Sequence, residues 1–173
     1  MWTPRGGCSR SSAPCTGVAK LSEEPAVELP GAVLFACNFN RVRSPMAAGL
    51  MRLVYGDRVY VDSCGLKLGE EIDPFVVAVM DEVGADLSRH TAKRFEDLAD
   101  GSFDVVVSLT PESQHRAVEM SRGRAVDVEY WETPDPTLAE GSREARLAAY
   151  RAVRDALRER ILRRFGKPST FGG

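Results

Sequence analysis

Cys37 and Arg43 stand six residues apart in the stretch Cys37-Asn38-Phe39-Asn40-Arg41-Val42-Arg43-Ser44-Pro45. A thiol and a guanidinium at that spacing can serve one anion, if the chain between them closes into a loop. Ser44 is a good helix cap and Pro45 suits a first helical position, so a helix is expected to start there. The loop then presents free backbone N–H groups and the positive end of a helix dipole to one point, an anion site whose usual occupant is phosphate. A cysteine facing it is favoured as thiolate, the nucleophilic form. Arg43 can return over the loop and hold two oxygens of a phosphoryl group with its planar fork. The pair alone is weak evidence; the alternative is a buried cysteine ending a strand beside a solvated arginine. Context strengthens it. Cys8, Cys15 and Cys64 have Pro14, Leu21 and Glu70 at the same distance. A carboxyl group that could exchange protons stands at Asp135, between Pro134 and Pro136. It reads equally as a turn cap, the use that Asp73-Pro74 suggests elsewhere.

The elements that must position these groups alternate. Ala32–Cys37 (AVLFAC) is a short apolar run of the buried-strand kind, and Ser44–Tyr55 has helical spacing through Met46, Leu50, Leu53 and Val54. Val59–Asp62 reads as a second strand and Asp73–Val83 as a second helix. Phe103–Leu109 is a third strand, followed by a helix entered at Thr110-Pro111. Ala125–Tyr130 is a fourth strand, half alternating as at a sheet edge. A last helix carries Leu147, Tyr150, Val153, Leu157, Ile161 and Phe165 at spacings of three and four. The pattern predicts an α/β fold of three layers, a four-stranded parallel sheet with helices on both faces. In such sheets the ligand site lies beyond the carboxyl ends of the strands, which is where the loop after Cys37 falls. Residues 1–31 are rich in Pro, Gly and Ser with no apolar period and no secretory apolar core, and are expected to be a disordered tail. The domain is expected over 32–165, with a frayed tail at 166–173.

With these residues in view, the chain resembles the low-molecular-weight protein tyrosine phosphatases, whose fold is shared by thioredoxin-coupled arsenate reductases. VLFACNFNRVRSPMA carries the resemblance, together with VDSCGL, LSRHTAKRF and TPDPT. The resemblance implies a cysteine-dependent phosphomonoesterase acting through a phosphocysteine. Cys37 would attack phosphorus, while Arg43 and the loop residues Asn38, Phe39, Asn40, Arg41, Val42 and Ser44 would bind the phosphoryl oxygens. Ser44 would also hydrogen-bond the leaving thiolate, and Asp135 would protonate the leaving oxygen and later activate water. Asn40 matches a family asparagine of left-handed backbone, and Ser63 and His90 match positions that brace it, an ordinary half-buried or surface histidine being the alternative for His90. No metal or cofactor is implied. The implied substrate is a phosphate monoester, with a phosphotyrosyl protein as the family default.

The chain departs from that pattern in places that bear on substrate. Phe39 stands where the family usually has Gly, Arg41 where an apolar pocket residue is common, and Thr137 and Leu138 where aromatic residues stack on a phosphotyrosine ring. An arsenate reductase is one competing reading, but that chemistry needs a resolving thiol pair after the third strand, and 108–120 has no cysteine. A catalytically weak phosphate-binding module is another, against which the thiol and the acid both count. Cys64, after the second strand, is either a small buried residue or a disulfide partner protecting Cys37. The chain has 173 residues, 43% hydrophobic, with 23 Lys and Arg against 25 Asp and Glu. That balance gives no basic field for nucleic acid. The arginines of the last helix interleave with acids as on a solvated face. No apolar run approaches the ~20 residues that span a bilayer. The expectation is a cytoplasmic domain without a nucleic-acid or membrane partner.

Overall fold

The computed structural model describes residues 28–98 and 101–168. The expectations for residues 1–27 and 169–173 lie outside the described residues. Four strands, β1 (Ala32–Cys37), β2 (Tyr60–Gly65), β3 (Val105–Ser108) and β4 (Asp127–Tyr130), alternate with four helices, α1 (Arg43–Tyr55), α2 (Pro74–Asp81), α3 (Pro111–Ser121) and α4 (Arg143–Phe165). All strand pairs are parallel, in the order β2-β1-β3-β4, so the half-alternating β4 does lie at an edge.

The period-2 alternation of β1 decides the layers. Val33 and Phe35 face one side with Val61, Val105 and Val107, and there α1, α2 and α4 pack through Met46, Leu50, Val76, Tyr150, Leu157 and Ile161. Leu34 and Ala36 face the other side with Cys64 and Val106, covered by Ala117 of α3 and by Phe95 and Phe103. Helices therefore cover both faces, as the apolar runs require. Truncating Phe35, wholly buried, would cost about 3–5 kcal/mol. Among the described residues no helix is long and apolar enough to cross a membrane.

The strand order sets the position of the site. From β1 the chain moves outward to β2, then returns to place β3 on the other flank of β1. The order reverses at β1, and a crevice opens beyond its carboxyl end, where Cys37 and the following loop lie. One local expectation is corrected here. Helix α1 begins at Arg43, its N-cap is Val42, and no side chain caps it. Ser44 lies inside the helix with its hydroxyl turned to the loop. Conversely, β2 runs three residues past its expected end, to Gly65, because Ser63, Cys64 and Gly65 pair with Phe35, Ala36 and Cys37.

Candidate active site

The loop from Cys37 to Ser44 is held by its carbonyls. Leu66 N donates to the carbonyls of Cys37 and Asn38 at 3.2 and 2.9 Å, Lys67 N to Asn38, Gly69 N to Phe39, and Asp73 N to Arg41. The amide N–H groups of Asn38 to Ser44 make no hydrogen bond to another described protein group. Carbonyls tied outward with amides left free form a concave nest for an anion, reinforced by the N-terminus of α1.

Asn40 fixes the shape of this nest. Its φ is 53°, the left-handed region that asparagine tolerates better than most residues. Its side chain, fully buried, donates to Ser44 Oγ and Ser63 Oγ, both at 2.9 Å, and accepts from Lys93 N at 2.9 Å. His90 Nε2 lies 3.0 Å from the Asn40 carbonyl and 3.1 Å from its Oδ1. Both are acceptors, so Nε2 carries the proton. Burial is the main cause that lowers the His90 pKa below its ordinary value, opposed by the hydrogen bond to Asn40.

The Cys37 sulfur, almost fully buried, lies 2.9 Å from Ser44 Oγ, whose single hydroxyl proton reaches either that sulfur or the Cys64 carbonyl, 3.2 Å away. Arg43 donates from Nη1 to the Thr133 carbonyl at 3.1 Å, and its Nη2 lies 3.9 Å from Asp135 Oδ2. Asp135 does cap the one-turn helix Pro136–Leu138, for its Oδ1 accepts from Thr137 N and Thr137 Oγ1. Its Oδ2 is the oxygen left toward Arg43. Cys37, Phe39, Arg41, Val42, Arg43, Asp73, Asp135 and Thr137 line one cavity of about 280 Å³. Every residue expected at the site is thus gathered around one loop, from four segments of the chain.

The chain matches the model of the family described as low molecular weight phosphotyrosine protein phosphatase over residues 32–166. It belongs to that family. A curated relative, the glutaredoxin arsenate reductase of Synechocystis sp., is 32% identical over 129 residues, 75% of this chain and 92% of the relative. Among solved structures, an arsenate reductase in the phosphate binding state has a TM-score of 0.59 at 29% identity, covering 76% of this chain and 94% of its own. The arginine phosphatase YwlE from Geobacillus stearothermophilus has a TM-score of 0.61 at 25% identity, covering 78% and 90%. The family's homologues thus carry both phosphatase and arsenate reductase names.

Within this family fold, several supports escaped the sequence reading. Thr110 Oγ1 donates to Asn38 Oδ1 at 2.7 Å, tying the loop to the start of α3. Lys93 Nζ holds both oxygens of the buried Asp62 at 2.9 Å, which seats the 91–94 segment so that its amide reaches Asn40. A Cβ on Gly65 would stand 2.8 Å from Asn40 N, so only glycine lets β2 approach the loop. The local signals were ordinary caps and a lone glycine. Cys64 does not face Cys37: its side chain packs in the α3-side cluster, whereas that of Cys37 packs on the opposite face. Burial, then the proximity of Cys37, pushes the Cys64 thiol pKa up, which disfavours the thiolate a protective disulfide would use.

Proposed function

We propose that the chain is a cysteine-dependent phosphomonoesterase acting through a phosphocysteine intermediate. The observation that carries this reading is the convergence, in one cavity, of the Cys37 thiol, Arg43, Asp135 and a loop of unpaired amides. A pure binder needs the amides and Arg43 but has no use for the thiol or the acid.

In the first step Cys37 Sγ attacks phosphorus. The S–P bond forms as the bond to the leaving oxygen breaks, and Asp135 Oδ2 delivers a proton to that oxygen. Arg43 and the amides of Asn38 to Ser44 bind the three equatorial oxygens as charge redistributes, the electrostatic contribution that usually dominates. The Thr133 carbonyl steadies the guanidinium from behind. In the second step the Asp135 carboxylate takes a proton from water as the water oxygen attacks phosphorus. The S–P bond breaks, and the Ser44 hydroxyl, 2.9 Å away, stabilises the departing thiolate. Asn40, Ser63 and His90 hold the loop rather than touch the reacting atoms.

Arsenate reduction is the second reading, favoured by the names of the curated relatives. Against it, α3 contains no cysteine, and Cys64, the other cysteine among the described residues, faces away. The deciding experiment is p-nitrophenyl phosphate hydrolysis at mildly acidic pH in the presence of chelator. Cys37→Ser is expected to abolish turnover, and Asp135→Asn to lower kcat by about 10²–10⁴-fold. Absence of turnover in folded wild-type protein, with thiol-dependent arsenate reduction in its place, would overturn the reading.

A further inference from the structure

Arg41 lines the cavity from the loop itself, one residue past Asn40. Among the described residues its guanidinium has one carboxylate partner, Glu70, at 3.8 Å, and the Glu70 side chain is 92% exposed. Its Nε is buried and finds no hydrogen-bond acceptor among the described residues. The other charges of the cavity are better satisfied. Asp73 accepts from Phe75 N at 2.8 Å and from Tyr150 Oη at 2.9 Å, while Asp135 is held by Thr137 and faces Arg43. Among the described residues, the cavity therefore contains a second cation whose one ion-pair partner is a solvated side chain on a neighbouring loop. An exposed, long ion pair contributes little, so Glu70 is easily displaced by a better-placed anion.

We propose that Arg41 is a specificity-determining residue that selects phosphate monoesters bearing a second negative group beside the scissile phosphoryl, with Glu70 as an internal competitor. An acidic phosphopeptide is the substrate class that fits. Phe39, 49% exposed on the same rim, offers an apolar surface next to that cation. A cationic leaving group, such as the guanidine of phosphoarginine, meets repulsion at the same point. This inference rests on the phosphomonoesterase reading for its substrate, but its test does not depend on turnover.

Two phosphotyrosyl peptides that differ only in Glu or Gln beside the phosphotyrosine serve as probes. Binding is measured at low salt on the full chain carrying Cys37→Ser. The acidic peptide is expected to bind about five- to tenfold more tightly than the neutral one, the range of a charge-assisted contact at a partly solvated site. Adding Arg41→Gln is expected to bring that ratio within about twofold of one, and raising salt to shrink it. Adding Glu70→Gln instead is expected to raise it. A ratio near one at the outset, or one unchanged by Arg41→Gln, overturns the proposal. Should Arg41→Gln fail to fold, Glu70→Gln carries the test, and an unchanged ratio there overturns it too. Turnover of p-nitrophenyl phosphate by the unsubstituted chain is read separately. Its absence removes the phosphatase reading while the binding ratio still decides the role of Arg41.

Discussion

At the scale of single residues, the site shows side chains with two uses each. Asp135 caps a turn with one carboxylate oxygen and leaves the other toward Arg43. Ser44 was expected as a cap, yet its hydroxyl connects Cys37, Asn40 and the Cys64 carbonyl, because the cap falls two residues earlier, at Val42, and α1 buries Ser44. His90 gives a test with a defined sign. Burial favours its neutral ring, so its pKa lies below the ordinary 6.5. The stability linked to it is complete above about pH 6.5 and is lost as pH falls below that toward the folded value. The ring C2–H resonance is expected to titrate with a midpoint under 6.5. Between about pH 7.5 and about pH 5.5 the unfolding midpoint of wild type should fall more than that of His90→Gln, which keeps a donor but cannot titrate. A midpoint at or above the ordinary value would remove this account of the loop's support.

At the scale of elements, the loop is shaped by its neighbours more than by its own sequence. Strand β2 reaches past its expected end, and its last residue must be glycine to lie against Asn38, Phe39 and Asn40. Gly65→Ala places a methyl group 2.8 Å from a backbone nitrogen, and the loop, not a flexible side chain, has to give way. The expected outcome is a loss of about 1–3 kcal/mol in stability and at least about tenfold in kcat/KM for p-nitrophenyl phosphate. Thermal unfolding and steady-state kinetics measure the two, and unchanged kinetics would show that the loop does not depend on this approach. Helix α3 contributes through its first turn, where Thr110 and Ser113 cap one another and Thr110 also holds Asn38.

For the whole molecule, the reversal of strand order at β1 places the proposed anion site at one end of the sheet, and occupancy of that site is expected to be felt by the entire fold. Inorganic phosphate at about 100 times its Kd adds about 2.7 kcal/mol to stability, because it binds the folded nest and not the unfolded chain. For a chain of this length that is a rise of about 5–10 °C in Tm. Arg43→Ala is expected to lose most of the rise, measured by thermal scans with and without phosphate. An equal rise in the variant would place the anion elsewhere.

The alternation of apolar runs fixed the fold class, because a strand buried on both faces and a helix with one apolar stripe leave different periods in the sequence. Cys37 and Arg43 were legible for a related reason: they lie within a single loop, where spacing along the chain is also proximity in space, although the helix that follows starts earlier than its Ser44-Pro45 signal. Of that loop's partners, Ser63 and His90 were legible through the family resemblance, and the others were not. Lys93, Asp62, Thr110, Thr133 and Gly65 come from segments far apart in sequence, and each carries only the local mark of a cap, an ion pair or a turn. Only the parallel packing of β1 between β2 and β3 brings them together. That packing also turned Cys64 away from Cys37, because side-chain direction in a strand follows from its register rather than from distance along the chain.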